Sequence, residues 1–363
     1  MARILTPRLL LRGFEIFAFA SLAGFAALLV YSGDLPVFLN ALIRLKWGWL
    51  VVGLVLASMD WIGGGLRLWV LAREVHPRPP LGKLMIAGGM GAWAAYVTPL
   101  QSGAGPMIVY GMRRAGIPLP VAATTTLMSF IATVAFFAIA GPLALLFGAG
   151  KGLGQEGDVF GLSLYDLFLA SLGVFGGLGV LLIVVIVFPR LVRDLLQRLA
   201  EFAGRRSRRV AARLETLRAG LDQAHHSVEA FNTPRGWLAL FWATLLSGPS
   251  HANKLLAGYV TLRALGIHAN FVDVLLLQTL ITFLLYFAPT PGASGIAELM
   301  SAAVMSVYVP RELTAIYILV WRLILSWYTI GFGFAVFSQW VRQGLKGIAI
   351  DPPAGDSLAN VPR

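Results

Sequence analysis

Long apolar runs separated by short clusters of arginine and lysine make up most of this chain. The runs cover residues 14–31, 47–71, 81–100, 119–147, 163–188, 237–262, 271–287 and 313–340. Several reach the length of about 20 residues that a helix needs to cross a hydrocarbon core. None shows an alternation of period two, which argues for helices and against an outer-membrane barrel. The pattern predicts an all-α polytopic membrane protein.

The basic clusters orient the runs. Arg3, Arg8 and Arg12 precede the first run, Arg73, Arg78 and Lys83 follow the second, and Arg113 and Arg114 follow the third. Residues 189–236 hold ten arginines against five acids, and Arg342 and Lys346 follow the last run. The positive-inside rule places all of these on the cytoplasmic side of a cytoplasmic-type membrane, with both termini inside. The loop 148–162, with Glu156 and Asp158 against Lys151, goes outside; Arg44 and Lys46 are an exception on that outer side. A cleaved signal peptide competes at the N-terminus, because Ala18-Phe19-Ala20 resembles a cleavage site. That triplet lies inside a run continuing to Val30, so the first helix is read as uncleaved.

This placement requires residues 84–112 to enter and leave by the cytoplasmic face. The sequence predicts a re-entrant hairpin broken between Thr98 and Pro106, where proline removes donors and glycine admits positive φ. By the same argument residues 271–308 enter and leave from outside, with a break at Pro289-Thr290-Pro291-Gly292-Ala293-Ser294-Gly295. One offset pairs Tyr96 with Tyr286, Pro99 with Pro289, Gly105 with Gly295 and Pro120 with Pro310. The expectation is about six full spans plus two hairpins in an inverted repeat. Its parts are an N-terminal helix and outer loop (1–46), a first membrane half (47–188), a basic cytoplasmic amphipathic loop (189–236), a second membrane half (237–340) and a tail (341–363). Paired Gly/Pro-interrupted segments in inverted halves point to a transporter's central site.

Composition agrees. Hydrophobic residues make up 58% and charged residues only 13%, against about 25% charged in soluble chains. The net charge of +12 is read as topology and as attraction to anionic lipid, not as a nucleic-acid surface. Without cysteine there is no disulfide, thiolate nucleophile or cysteine metal site.

Candidate translocation residues fall at the breaks and at charges inside the runs. Gln101, Ser102, Gly103 and Gly105 belong to the first break, and Pro291, Gly292, Ser294 and Gly295 to the second. Half-helix N-termini there suit a phosphate. Asp60 and Arg67 lie seven apart on one helical face. They read as functional charges, or as a structural pair with Arg67 snorkelling to the inner interface. Glu298 reads as a counter-ion, a proton carrier, a latch to Arg322 or a charge on the helix macrodipole. Arg322 reads as a phosphate ligand or as the structural partner of Glu298 or Asp60. His251, Asn253 and Lys254 line a cavity or mark a distorted helix. Arg113 and Arg114 receive a headgroup or merely set topology. The loop pair His225 and His226 cannot share a helix face and is not read as a metal site. No metal and no cofactor is expected.

Thr98-Pro99, Ser102-Gly103-Ala104-Gly105-Pro106-Met107 and Tyr110-Gly111-Met112-Arg113-Arg114-Ala115-Gly116-Ile117 resemble the first signature of the lysylphosphatidylglycerol synthase transmembrane-region family, also called flippase-like. Pro289-Thr290-Pro291-Gly292-Ala293-Ser294-Gly295-Ile296-Ala297-Glu298 resembles its second signature. The resemblance implies lipid translocation between leaflets. The aminoacyl-transferase domain of full-length synthases is not expected in a chain ending at Arg363. Membrane lipids, above all anionic phospholipids, are the expected partners; a second copy or a separate lipid-modifying enzyme is a further candidate. Alternatives are a polar-anion transporter and a non-transporting scaffold. A rhomboid-like protease is a remote one, because Gly292-Ala293-Ser294-Gly295 has no histidine after it. The chain is read as a transporter, not an enzyme.

Overall fold

In a computed structural model of the chain, the described residues are 7–33, 35–146, 226–286 and 288–336, with positions 158–159 and 162–163 and scattered positions between 166 and 201. They form helices α1 (Pro7–Ser32), α2 (Leu35–Ile43), α3 (Trp47–Val75), α4 (Leu81–Tyr96), α5 (Ala104–Arg114), α6 (Leu119–Leu146), α7 (Pro234–Ser250), α8 (Ala252–Ala264), α9 (Phe271–Tyr286), α10 (Ile296–Met305) and α11 (Thr314–Arg322). A π-turn, Leu323–Trp327, continues α11 and helical backbone runs on to residue 336. Asp158–Val159 and Leu162–Ser163 make a two-residue antiparallel ladder within the expected outer loop.

Many large apolar side chains face outward, while several charged and polar ones lie buried beside the apolar core. Phe19 is 77% exposed, and Val51, Phe130 and Phe241 are more than half exposed, while Asp60, Asn253, Gln278, Glu298 and Arg322 are buried. An apolar surface of this kind belongs in lipid. Among the described residues four helices are long and apolar enough to cross a membrane: Leu10–Ser32, Trp47–Val75, Leu119–Ala140 and Arg311–Val336.

Two of the expected six spans therefore need comment. The fifth run, 163–188, lies largely outside the described residues, as do most of the amphipathic loop and the tail beyond residue 336. The sixth, 237–262, is not one continuous helix but two, α7 and α8, meeting at His251. Pro249 sits in the last turn of α7, and a proline there costs a backbone hydrogen bond and crowds the preceding turn. The end of the basic loop is visible as a turn of helix at 226–230, which docks through Ser227 onto Thr124 of α6 at 2.8 Å.

α3 is the central post, packed against α4, α6, α7 and α8. It approaches α4 backbone to backbone. A Cβ built on Gly65 would lie 2.3 Å from Met85 Cα, and one on Gly88 would lie 2.6 Å from Gly65 N. Small residues allow such close contact where lipid supplies no hydrophobic drive between helices. This contact holds α4 in the interior.

The two breaks share one local design. Each is a three-residue 3₁₀ turn opening on proline, Pro99–Gln101 and Pro291–Ala293. Each then has two residues at positive φ: Leu100 (52°) and Gln101 (53°), Gly292 (55°) and Ala293 (55°). α4 and α9 are both 16 residues long and end on Tyr96 and Tyr286, as the sequence offset requires. Beyond those tyrosines the pairing slips by two residues. Pro99 corresponds to Pro291, and Gly103, the residue before α5, corresponds to Gly295, the residue before α10. Gly105 and Pro289 are thus not the partners that the repeat suggested.

Candidate functional site

The tips of the two breaks touch, with Pro99, Leu100 and Pro289 exposed and Ala288 and Pro291 buried. Leu100 N–H donates to Ala288 O at 3.3 Å. Between them lies a cavity of about 30 Å³ lined by Tyr96, Gln101, Lys254, Thr282, Gly292 and Leu325, among others. That volume matches roughly one water molecule. Charged clusters flank it on two sides.

The first cluster joins α3, α4 and α8. Asp60 accepts from Tyr96 Oη at 3.2 Å and from Asn253 Nδ2 at 3.4 Å, and lies 3.4 Å from Lys254 Nζ. Asn253 also donates to Leu325 O, within the π-turn, at 3.1 Å. Lys254 stands 5.6 Å from the centroid of the Tyr96 ring and lines the cavity. The kink at His251 aims both Asn253 and Lys254 inward: α8 restarts there with no side-chain cap, and its first turn presents them to Asp60.

The second cluster joins α1, α10 and α11. Arg322 forks onto Glu298, Nε to Oε1 at 2.7 Å and Nη2 to Oε2 at 3.1 Å. Glu298 is 1% and Arg322 2% exposed, so water screens this pair very little. The carboxylate also accepts from Gly295 N–H at 2.8 Å and from Ser21 Oγ. Arg322 Nη1 reaches Gly292 O at 3.2 Å and Ser326 Oγ at 3.3 Å. Glu298 therefore does two of the jobs weighed from sequence. It caps the start of α10 as an acidic third residue does, and it latches Arg322. The guanidinium in this conformation is filled by protein acceptors rather than open to a phosphate.

Arg67 stands apart. It does not pair with Asp60 as their spacing suggested, and it does not snorkel. Its Nη1 donates to Thr133 Oγ1 of α6 at 2.6 Å and to Ser247 Oγ of α7 at 3.0 Å, and its buried Nε has no partner among the described residues. Among the described residues no carboxylate contacts it. The helical face shared by Asp60 and Arg67 is real, but the neighbours above each turn differ: α8 for one, α6 and α7 for the other.

The remaining candidates divide. Gln101 and Gly292 line the cavity, while Ser102 is exposed and donates to Pro99 O. Gly103 N–H is held by Thr98 Oγ1 at 2.9 Å. Gly105 has open surroundings, with Thr126 Cγ2 at 3.9 Å from a built Cβ. Pro291 and Gly295 shape the second break. Ser294 Oγ is buried with no hydrogen-bond partner, and His251 Nδ1 is bonded to Ser247 O at 2.8 Å. The pair a serine protease needs is thus not assembled. Arg113 and Arg114 end α5, away from both clusters. Among the described residues no group of His, Asp and Glu could hold a metal ion.

Sequence reasoning missed Ser21 and the roles of Tyr96, Thr133 and Ser247. Isolated serines and threonines carry no periodic signal in an apolar helix. Gln278, an amide inside an apolar run, was missed as well. It accepts from Trp321 Nε1 at 2.8 Å and packs into the space left by Gly258.

Fold and site together define a polytopic α-helical membrane protein with a charged interior between two broken helices. The chain belongs to the family described as the lysylphosphatidylglycerol synthase TM region, which matches residues 16–333. It is also 24% identical over 296 residues to a UPF0104 membrane protein of Archaeoglobus fulgidus, covering 80% of this chain and 86% of that relative.

Proposed function

We propose that this protein moves a polar lipid, of the anionic or aminoacylated phospholipid class, between the leaflets of a cytoplasmic membrane. The observation that carries the reading is the contact between two Pro-led helix breaks, flanked by the buried Asp60–Lys254 and Glu298–Arg322 pairs. Non-helical backbone at membrane depth is tolerated where it is buried in protein or lines a wet cavity. Buried ionisable groups in spans mark a pathway by default.

In this reading α4–α5 and α9–α10 are re-entrant hairpins entering from opposite faces, with both termini cytoplasmic. The kinked α7–α8 pair mirrors α3, and the helix from Arg311 mirrors α6. The family membership supports a lipid-related role. A cavity near 30 Å³ is far smaller than a headgroup, so in this reading the chain must open for a headgroup to pass. Transport then requires one ion pair to open, letting the headgroup phosphate replace a carboxylate on Lys254 or Arg322. The acyl chains stay in lipid throughout. Asp60 or Glu298, once released, is the natural proton acceptor if the step is coupled to a gradient.

Reconstitution in liposomes with fluorescent headgroup-labelled phospholipids tests the reading. Leaflet exchange above the protein-free rate is expected for the native chain, with loss in Lys254→Met, Glu298→Gln and Arg322→Ala. Exchange at the protein-free rate for well-folded native protein would remove the translocase reading.

A further inference from the structure

A groove of about 710 Å³ opens between the end of α1, the outward face of α10 and the start of the last helix. Its volume lies within the roughly 300–1,000 Å³ range of small-molecule sites. Its walls are small and apolar, with Ala27 and Leu28 on α1 and Ala302 and Ala303 on α10, and Leu299 stands 55% exposed at its side. At its mouth is Arg311, whose Nε donates to Tyr31 O at 2.9 Å and whose guanidinium lies 4.4 Å from the Tyr31 ring centroid. Among the described residues neither Nη of Arg311 has a hydrogen bond. The lining contains one cation and no acid; the neighbouring Glu312 is exposed and does not line it.

We infer that this groove seats an anionic phospholipid, with the acyl chain along the alanine walls and the phosphate on Arg311. Charge and shape select the occupant. An apolar trough ending in a guanidinium is complementary to an amphiphile with an anionic head, and a tyrosine–arginine pair is typical of headgroup depth. The groove also leads somewhere. α1, α10 and the last helix, which form it, are the elements that Ser21, Glu298 and Arg322 lock together deeper in the protein. Glu298 lies one helical turn below Ala302. Arg322 follows Arg311 by eleven residues, roughly three turns or about 16 Å along the helix. A phosphate on Arg311 thus sits above the Glu298–Arg322 latch, with the next cation on the same helix beneath it. In the orientation proposed above this is the outer side. The inference rests on the translocase reading and makes the groove the lipid entry or exit on that side.

Native mass spectrometry of the detergent-purified full chain, titrated with phosphatidylglycerol or phosphatidylcholine, tests it. A first phosphatidylglycerol should bind about fivefold more tightly than phosphatidylcholine, the effect of one well-placed cation. Arg311→Gln should abolish that preference and Arg311→Lys should retain it. Ala303→Trp, which fills the trough, should weaken binding of both lipids. Equal affinity of the native chain for the two lipids, or a preference unchanged in Arg311→Gln, overturns the seat. The readout involves no transport. Leaflet exchange without the preference sinks the seat alone, whereas the preference without exchange sinks only the translocase reading.

Discussion

Glu298→Gln changes one atom type at a buried position. The native carboxylate accepts four hydrogen bonds, from Ser21 Oγ, Gly295 N, Arg322 Nε and Arg322 Nη2. A carboxamide has one acceptor oxygen, and its NH₂ must face a donor. Arg322 would be left with Gly292 O at 3.2 Å and Ser326 Oγ at 3.3 Å, neither of them charged. Removing one partner of a buried ion pair costs about 3–5 kcal/mol, because the other charge stays desolvated. The near-isosteric amide should fall at the low end, about 3 kcal/mol. Adding Arg322→Met removes the stranded charge, so the double variant should be less damaged than the sum of the singles, by about 2 kcal/mol or more. Reversible unfolding in mixed detergent micelles can be followed by the fluorescence of the ten tryptophans. A single-variant loss under about 1 kcal/mol, or effects additive within about 0.5 kcal/mol, would refute the view of this pair as a buried latch.

Other outcomes follow from the same geometry. Gly292→Ala should cost about 2–3 kcal/mol in the same unfolding assay, since φ is +55° and the added Cβ would lie 2.6 Å from Tyr96 O. Gly105→Ala, with 3.9 Å to spare, should stay within about 0.5 kcal/mol; similar losses at both positions would contradict the tight contact between the breaks. Asp60→Asn should destabilise by about 3 kcal/mol and regain most of it with Lys254→Met, a pairing that independent effects in the double variant would exclude. Arg67→Met removes a buried charge that no carboxylate contacts, so unfolding should shift by no more than about 1 kcal/mol while leaflet exchange falls. A large stability loss there with unchanged exchange would make Arg67 purely structural.

Much of the architecture is legible in the order of residues because it depends on near neighbours. Apolar run length and charge placement determine that the chain forms membrane helices. Pro99 and Pro291 determine where two of those helices break, since a ring without an N–H is a local property, although at the first break the positive φ falls on Leu100 and Gln101 and not on a glycine. The offset between Tyr96 and Tyr286 already marks the two equal 16-residue arms. Which charge meets which was decided only by packing. Asp60 and Arg67 share a face, yet one reaches Lys254, 194 positions away, and the other Thr133 and Ser247. The break at His251 looked like a mild distortion, yet it turns Asn253 and Lys254 toward Asp60. The Arg311 groove arises only where α1, α10 and the last helix converge. Helix formation and interruption are written in a few consecutive residues, whereas a buried charge must be satisfied by whatever side chain the folded helices bring within reach.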